Sequence, residues 1–332
     1  MNICILAPAN DGHATVVQKA LHAKGVVATI VDSRRVEFSL ASSVRFHSSM
    51  ELTIFQMAGG TQVSNADVVW LRRPISAPWS AVRDARDAEI YLHQDGLIFG
   101  LVEAAKMAVN PIDAAIRMES KLRGLAAAVS AGLQVPPSLF SADPEAVRTF
   151  FDEQNGQVIF KSHRPQPSVP GKSSGTAQVT PEVLNNSEAI QRQPGVYQRR
   201  LNILHELRVL VLGRAIRAVK VVNRSRFVDS RLMMGRENEV SATEVPRYVA
   251  ECCIEMVHSN GLICASIDLA YVQGEGYIFL DLNPSGQFLW MEYCCPEVDV
   301  LDVFARFLIS GSPDFEGGAA TRHRVRLCDF AA

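Results

Sequence analysis

The chain lacks any apolar segment long enough to cross a membrane as a helix, and Asp11-Gly12-His13 closes its apolar start without a basic region before it. We therefore expect neither a membrane span nor a signal peptide. The seven cysteines show no CxxC spacing, so neither a zinc site nor a disulfide framework is expected. A formal net charge of −2 disfavours a general binder of nucleic acids or membrane surfaces. These absences favour a cytoplasmic protein with reduced thiols.

Two common phosphate-binding motifs are also absent. The turn after the first predicted strand, residues 8–12, lacks the GxGxxG that a dinucleotide pyrophosphate needs. Gly171-Lys172-Ser173 resembles the end of a P-loop, but Gln166 stands where the motif requires its first glycine. The sequence therefore predicts neither a Rossmann dinucleotide site nor a Walker A loop.

Apolar periodicity predicts strands and helices along the 332 residues, and 48% hydrophobic content can fill the cores of two or three domains. The chain opens with a strand, a helix and a second strand, which form a βαβ unit. Residues 112–131 form an Ala-rich helix that contains Lys121, and residues 143–154 a helix with Pro144 in its first turn. The other predicted strands and helices are strands 2–7, 26–31, 66–71, 158–161, 206–212 and 215–222, short strands within 38–63, and helices 10–24, 85–108, 246–260 and 298–310.

Two apolar runs around a glycine-bearing turn predict a β-hairpin near the C-terminal end. With Gly274-Glu275 as a two-residue loop, Asp268 lies directly opposite Asp281. Alternation places Ser266 and Asn283 on the same face as these acids. The opposite face is predicted to be a core surface formed by Ile263, Ala265, Ile267, Leu269, Ile278, Leu280 and Leu282.

Opposed carboxylates repel each other, and a bound cation reverses that penalty. Two carboxylates and an amide oxygen are hard ligands of the type that Mg²⁺ takes alongside substrate phosphates. The hairpin therefore predicts a magnesium site at Asp268, Asp281 and Asn283. The alternative is a pair of solvated acids on the wet side of the hairpin.

Positive charge is concentrated after the middle of the chain. Between Arg199 and Arg236 there are ten Lys and Arg residues against two Asp and Glu residues, which predicts an anionic ligand. Arg208 lies within a predicted strand, where a buried arginine needs a charged partner. Lys121 and Lys161 are further candidates for contact with an anion, and solvated side chains are the alternative for both.

The loop 162–176 follows Lys161 and combines prolines with small residues. Its three prolines prevent regular strand pairing, while Ser174, Gly175 and their neighbours offer backbone donors. We expect the loop to be flexible and rich in hydrogen-bond donors.

These elements, taken in order, resemble the ATP-grasp superfamily, whose two α+β subdomains hold ATP between them. A more specific resemblance is to the graspetide (microviridin-type) peptide macrocyclases. Leu71 and Ser230 stand where that family has Tyr and Trp, which leaves the substrate open. Asp281 stands where the family has Glu, a conservative change that shortens the ligand arm by one methylene. The segments that carry the two resemblances are Trp70-Leu71-Arg72-Arg73-Pro74, Asn110-Pro111, Lys121, Lys161, Tyr197-Gln198, Asp229-Ser230-Arg231, Asp268 and Asp281 to Phe288.

The resemblance implies an α/β and α+β protein with the ATP-grasp fold. It implies an N-terminal βαβ pre-ATP-grasp domain over residues 1–111 and a central lid subdomain over 112–197. A C-terminal ATP-grasp subdomain with the Mg²⁺ site would cover 198–315, and a tail 316–332. ATP and Mg²⁺ are the implied cofactors, and we expect the loop 162–176 to be mobile without nucleotide and to close over the phosphates when nucleotide is bound. The implied contacts are catalytic Arg208 and Arg231, metal ligands Asp268, Asp281 and Asn283, and nucleotide contacts from Lys121, Lys161, Ser174, Gly175, Gln198, Arg199 and Leu201.

The implied activity is an ADP-forming ligation. It would activate Asp or Glu side chains of a ribosomal precursor peptide, with a leader and an acidic core, as acyl phosphates and form ω-ester or ω-amide crosslinks. Arg72 and Arg73 would either recognise the acidic peptide or pair with local acids. Neither nucleic acid nor membrane is an expected partner, and the sequence leaves a homodimer open.

Two other functions remain as alternatives. One is an ATP-grasp ligase for free amino acids, a dipeptide or a protein C-terminal tail, which would need the same ATP-binding half. The other is an ATP-binding module without chemistry, against which the retained lysines and metal ligands argue.

Overall fold

The computed structural model describes the strands and helices that position the candidate site. Its strands form sheets of four, four and five strands and a separate two-stranded pair. None of the helices in the described part of the chain is both long and apolar enough to span a membrane. The described residues are 1–32, 53–55, 62–64, 66–72, 85–162, 176–223, 238–318 and 324–330.

Strands and helices are numbered here in chain order. The strands are β1 (Asn2–Leu6), β2 (Val27–Val31), β3 (Thr53–Phe55), β4 (Gln62–Ser64), β5 (Val68–Leu71), β6 (Met107–Val109), β7 (Ser138–Ser141), β8 (Val158–Ser162), β9 (Ala177–Gln178), β10 (Gly195–Arg199), β11 (Ile203–Leu212), β12 (Ala215–Asn223), β13 (Asn238–Ala242), β14 (Cys264–Val272) and β15 (Gly276–Asn283). The helices are α1 (Gly12–Ala23), α2 (Ala85–Ala104), α3 (Ile112–Met118), α4 (Lys121–Ser130), α5 (Pro144–Glu153), α6 (Pro181–Leu184), α7 (Ser187–Arg192), α8 (Arg247–Ser259), α9 (Trp290–Cys294), α10 (Val300–Ser310) and a 3-10 helix (Leu327–Asp329).

The first sheet is parallel, with strand order β2-β1-β5-β6. Helices α1 and α10 contribute to the core on one face and α2 to the core on the other, as parallel strands require. The prediction of one helix over 85–108 is wrong at its end, because α2 stops at Ala104 and Met107–Val109 form the fourth strand. A short apolar run fits either structure by periodicity, and pairing with β5 decides it.

The second sheet is antiparallel, with strand order β7-β10-β8-β9. Its core includes Val147 and Phe150 of α5, packed with Val158 and Tyr197. The predicted helix over 143–154 is confirmed: Asp143 caps α5 by accepting the backbone N–H of Glu145 at 3.1 Å.

The third sheet is antiparallel, with strand order β13-β12-β11-β14-β15, and carries the predicted metal hairpin. Helices α3, α4 and α8 cover one face, while the other shares a core with α10 and the first sheet. The prediction of a single helix over 112–131 is wrong, because α3 ends at Met118 and α4 begins at Lys121. Ser120 caps α4 by accepting the N–H of Arg123, so Lys121 is the first residue of a helix rather than an interior one.

Asn110 joins the first sheet to the third. It follows β6 and is 3% exposed. Its side-chain amide donates to the carbonyl oxygens of Cys264 at 2.7 Å and Pro284 at 2.8 Å. Its oxygen accepts the N–H groups of Ile263 at 2.8 Å and Cys264 at 2.9 Å. One buried amide thus ties the first sheet to β14 and to the residue that follows β15.

The described part of the predicted tail packs against the protein. Val325 is buried and donates its backbone N–H to Asp302 of α10 at 3.0 Å. Leu327 donates its N–H to Glu292 of α9 at 2.7 Å. Residues 324–330 are therefore held by one carboxylate of α9 and one of α10.

The seven cysteines are free thiols, as the sequence predicts for a reduced protein. Burial raises the pKa of Cys4, Cys253 and Cys264 to about 12, so these three stay protonated near neutral pH. They serve as small apolar core residues.

Candidate functional site

The hairpin of β14 and β15 has the predicted register at its polar end. Asp268 lies opposite Asp281, and Ser266 opposite Asn283, which confirms the predicted pairs. The predicted two-residue loop is wrong. Val272 pairs with Gly276, so three residues form the turn, and a register shift after Asp268 restores the pairing.

The same irregularity changes the predicted core face of β15. Leu269 pairs with Phe279, which is 2% exposed and belongs to the core against α4 and α8. Leu280 is only half-buried, so its predicted place in the core is wrong. Ile278 is buried but pairs with Ala270, on the face of Asp268.

Four charged side chains form a row along the third sheet, with one contributed by α4. Arg208 of β11 lies opposite Asp268 of β14 and is ion-paired with it. Asp268 lies opposite Asp281 of β15, whose Oδ2 is 3.1 Å from Lys121 Nζ. The side chains of Asp268 and Asp281 are 26% and 38% exposed. Each acid thus has a basic partner and an open side, so a divalent cation can approach both.

Asn283 continues the polar face at the end of β15. Its Oδ1 accepts the N–H of Ser285 at 2.9 Å, which turns the chain back over β14. At Gly286 the turn is so close that a Cβ would lie 2.6 Å from Ser266 Oγ. A carbonyl oxygen has two lone pairs, so Asn283 Oδ1 retains capacity for a second partner.

The donor set suits a magnesium ion. Within the described ranges no group of three His, Cys, Asp or Glu side chains could hold a metal. The predicted set instead has two carboxylates and an amide, and its acids are balanced by Arg208 and Lys121. Mg²⁺ usually takes one or two carboxylates and completes its shell with water and substrate phosphates. The chemistry of these side chains therefore fits Mg²⁺ together with a phosphate ligand.

A second polar group lies on the second sheet. Lys161 donates to Gln198 Oε1 at 2.8 Å, and Gln198 Nε2 donates to Ser138 Oγ at 3.0 Å. Gln198 is 3% exposed, so its side chain orients Lys161 from within the sheet. Burial raises the pKa of the neighbouring Tyr197.

Arg199 connects the second sheet to the hairpin of the third. Its guanidinium is ion-paired with Glu275 in the turn between β14 and β15. Its backbone N–H donates to the Pro137 carbonyl at 2.9 Å. Leu201, half-buried, follows where the chain passes from β10 to β11. The predicted nucleotide residues of this segment therefore lie where the two sheets meet.

Arg72 is buried at the end of β5 with 1% exposure. It donates to the Ser285 carbonyl at 3.2 Å, and its Nε is 3.5 Å from Asp11 Oδ1. Of the two roles that the sequence left open, these contacts match pairing with a local acid. Arg72 thereby holds the turn after Asn283 against the first sheet.

A cavity of about 450 Å³ lies at the carboxyl edge of the first sheet. The β1–α1 turn forms one wall, from Asn10 to His13, and Gln287, Leu289 and Trp290 form the other. In open parallel sheets, ligands bind at this edge where the strand order reverses. β1 and β5 are the strands between which the order reverses here.

Several predicted residues lie outside the described ranges. They are Arg73, Arg231, Ser174, Gly175 and the remainder of the loop 163–175. Glu206, conversely, was not predicted as a site residue, although it is ion-paired with Arg208. A period of two along a strand places residues 206 and 208 on one face, and that signal was present in the sequence.

Comparison with known proteins identifies the fold. No family model matches the chain, and no curated protein matches its sequence. The macrocyclase MdnC from Microcystis aeruginosa MRC, solved with precursor peptide MdnA, has a TM-score of 0.79 and 24% identity over 93% of this chain and 100% of that chain. A RiPP-associated ATP-grasp ligase from Chryseobacterium gregarium, solved with ADP and a leader and core peptide, has a TM-score of 0.79 and 19% identity, covering 98% and 99% of the two chains.

A third similar structure is the ATP-grasp ligase PsnB with a minimal precursor, Mg and ADP, which has a TM-score of 0.76 and 23% identity over 93% of this chain and 96% of that chain. At these identities the likeness establishes the fold and not the reaction. The predicted fold class is confirmed: this chain has the ATP-grasp fold.

Proposed function

We propose that the chain is an ATP- and Mg²⁺-dependent ligase that crosslinks a ribosomal precursor peptide. It activates Asp or Glu side chains of the peptide as acyl phosphates and joins them to hydroxyl or amine side chains. The observation that carries the proposal is the row Arg208–Asp268–Asp281–Lys121. It offers two acids for a metal and flanking cations for phosphate within an ATP-grasp fold.

Asp268, Asp281 and Asn283 would hold Mg²⁺, which when bound neutralises charge on the β- and γ-phosphates. Arg208 would contact the transferred phosphoryl group, and Lys121 would contact phosphate from the first turn of α4. Lys161, oriented by Gln198, would neutralise the α- and β-phosphates. Arg199 and Leu201 border the adenine side of the cleft in this proposal.

The chemistry proceeds in two balanced steps. A peptide carboxylate oxygen attacks the γ-phosphorus, and the bond to the bridging oxygen breaks, which releases ADP. A hydroxyl or amine then attacks the acyl carbon, and inorganic phosphate leaves as the nucleophile loses its proton. The protein contributes mainly positioning and charge neutralisation, which phosphoryl transfer requires.

The predicted residues outside the described ranges remain part of the proposal. Arg231 would assist Arg208, and Ser174 and Gly175 would close over the phosphates to exclude water from the acyl phosphate. Arg73 would contact the acidic peptide, since Arg72 is engaged within the protein. The division into 1–111, 112–197, 198–315 and 316–332 is likewise proposed.

The peptide substrate is proposed from the solved structures of the same fold. MdnC and PsnB were solved with precursor peptides, and PsnB with Mg and ADP as well. The cavity at the edge of the first sheet lies next to the turn that Arg72 holds, and we assign it to the peptide.

The test is a reconstitution with a short peptide encoded beside the gene. With ATP and Mg²⁺, its mass should fall by one water for each ring formed. Asp281→Ala and Asn283→Ala should abolish the change yet leave peptide binding nearly intact, whereas the exposed control Glu251→Ala should react normally. ADP release with unchanged peptide mass would contradict crosslinking, and ADP release with free amino acids would support the alternative ligase. ADP production with any carboxylate substrate would exclude a module without chemistry.

A further inference from the structure

Glu206 is a buried acid that the proposed mechanism leaves without a role. It lies on β11 two residues before Arg208, so both side chains point to the same face of the third sheet. Its side chain is 10% exposed and is ion-paired with Arg208. Its cross-strand neighbours are Ala270 and Val221, which offer no polar side-chain atoms. A carboxylate in such surroundings is costly unless a cation is paired with it.

Arg208 is ion-paired with two acids, Glu206 and Asp268, that have different places in the proposed mechanism. Asp268 belongs to the proposed metal ligands, and Glu206 does not. A divalent cation held by Asp268 would offset that negative charge, so the ion pair between Arg208 and Asp268 would be weaker. The ion pair between Arg208 and Glu206 is not in competition with the metal.

We propose that Glu206 is a positioning residue for Arg208. It holds the guanidinium on the cleft face after Mg²⁺ has engaged Asp268, and it keeps Arg208 from competing with Mg²⁺ for that acid. The inference rests on the proposed function, because it concerns the same site.

The charge of Glu206 and the length of its side chain should have separable effects on the site. Glu206→Gln removes the charge, so Arg208 pairs more strongly with Asp268 and Mg²⁺ must compete harder. Glu206→Asp keeps the charge but shortens the arm by one methylene, which draws the guanidinium back along β11. The first change acts on metal affinity, and the second acts on the rate of phosphoryl transfer.

The experiment measures nucleotide binding by the full chain as a function of Mg²⁺ concentration, and again in EDTA. Glu206→Gln should raise the half-saturating Mg²⁺ concentration about tenfold, the size of one coupling between neighbouring charges, without changing binding in EDTA. Glu206→Asp should shift the half-saturating Mg²⁺ concentration by less than about twofold. It should, however, lower kcat about tenfold with little change in KM for ATP. The control Glu251→Gln, an exposed acid on α8, should match the wild type.

Three results would overturn the inference. One is a wild-type Mg²⁺ dependence and kcat in Glu206→Gln. Another is an equal loss of thermal stability in both Glu206 variants with unchanged Mg²⁺ dependence, which would assign the residue a structural role. The third is a wild type that binds nucleotide independently of Mg²⁺, and that result alone would overturn the proposed function as well.

Discussion

Two groups of neighbouring acids in this molecule have very different surroundings. On the third sheet, Asp268 and Asp281 face each other with 26% and 38% of their side chains exposed. Their described partners, Arg208 and Lys121, are long side chains that can move without disturbing the backbone. Solvent reaches these acids, so a cation can take the place of a side-chain partner.

In α9 and α10, Glu292 and Asp302 are 3% and 0% exposed. Glu292 accepts two backbone N–H groups at 2.8 and 2.7 Å. Asp302 is ion-paired with Lys24, the residue after α1, at 2.7 Å and with Arg306 at 2.9 Å, and it accepts one backbone N–H at 3.0 Å. Backbone donors cannot leave without local unfolding, so these acids hold α1, α10 and residues 324–330 together.

The difference separates the proposed metal-binding acids from structural ones. Burial acts to raise the pKa of Asp302, but its bonds to Lys24, the Val325 backbone and Arg306 outweigh it and hold the pKa below its usual value. That carboxylate is fully committed to the fold. The acids of the hairpin are ion-paired with side chains that a metal or a phosphate can replace, and the backbone N–H that Asp281 accepts at 3.1 Å comes from the adjacent residue Leu282.

The largest effect is expected from Asp302→Ala. It leaves Lys24 and Arg306, with side chains 9% and 12% exposed, without their shared carboxylate. We expect a loss of about 3–5 kcal/mol in the free energy of unfolding, measured in urea. The control Asp314→Ala removes the ion pair between Asp314 and Arg214, whose side chains are 66% and 56% exposed. It should change the free energy of unfolding by less than about 0.5 kcal/mol. Similar losses in the free energy of unfolding for Asp302→Ala and Asp314→Ala would contradict a structural role for Asp302.

An intermediate effect is expected from the pH dependence of Glu292. Burial outweighs its backbone hydrogen bonds and raises the pKa of Glu292 above 4.5. Its contribution to stability is therefore complete below pH 4.5 and is lost as the pH rises through the raised value. Relative to Glu292→Gln, the wild type should lose stability over that window by at most about 1.4 kcal/mol per pH unit. Urea unfolding of both proteins at several pH values measures this loss. Parallel curves of unfolding free energy against pH for the wild type and Glu292→Gln would contradict the raised pKa.

The smallest effect on stability is expected from Asp281→Ala, although it should abolish turnover. Lys121 is 26% exposed and returns to solvent when its partner is removed. The free energy of unfolding should change by less than about 1 kcal/mol in the same urea assay. A loss as large as that of Asp302→Ala would place Asp281 among the structural acids.

Local pattern was sufficient to predict the face and register of the hairpin at its polar end, from Ser266 to Asp268 and from Asp281 to Asn283. Counting back from the predicted turn placed Asp268 opposite Asp281, and the alternation of strand residues placed Ser266 and Asn283 on the same face. The turn is one residue longer than predicted, and the register shift after Asp268 compensates for it. These two differences from the prediction cancel at Asp268 and Asp281. Between the turn and the register shift, Phe279 occupies the core position that was expected for Leu280.

Features that depend on distant contacts could not be predicted. The break between α3 and α4 depends on packing against β15 as well as on the Ser120 cap. The structural role of Asp302 depends on Lys24, which lies at the opposite end of the chain. The sequence around Ser120 does not indicate packing against β15, and the sequence around Asp302 does not indicate Lys24 as its partner. Glu206 is different, because its relation to Arg208 is local and a search for alternating charges would have found it.

In the proposed function the hairpin acids hold the Mg²⁺ that accompanies ATP, whereas the acids of α9 and α10 do not. Its most direct test is nucleotide binding measured with Mg²⁺ and with EDTA, for the wild type, Asp281→Asn and Asp302→Asn, at a temperature where all three are folded. We expect Mg²⁺ to strengthen binding in the wild type and in Asp302→Asn, and to have little effect in Asp281→Asn. Full Mg²⁺ enhancement in Asp281→Asn would contradict the account.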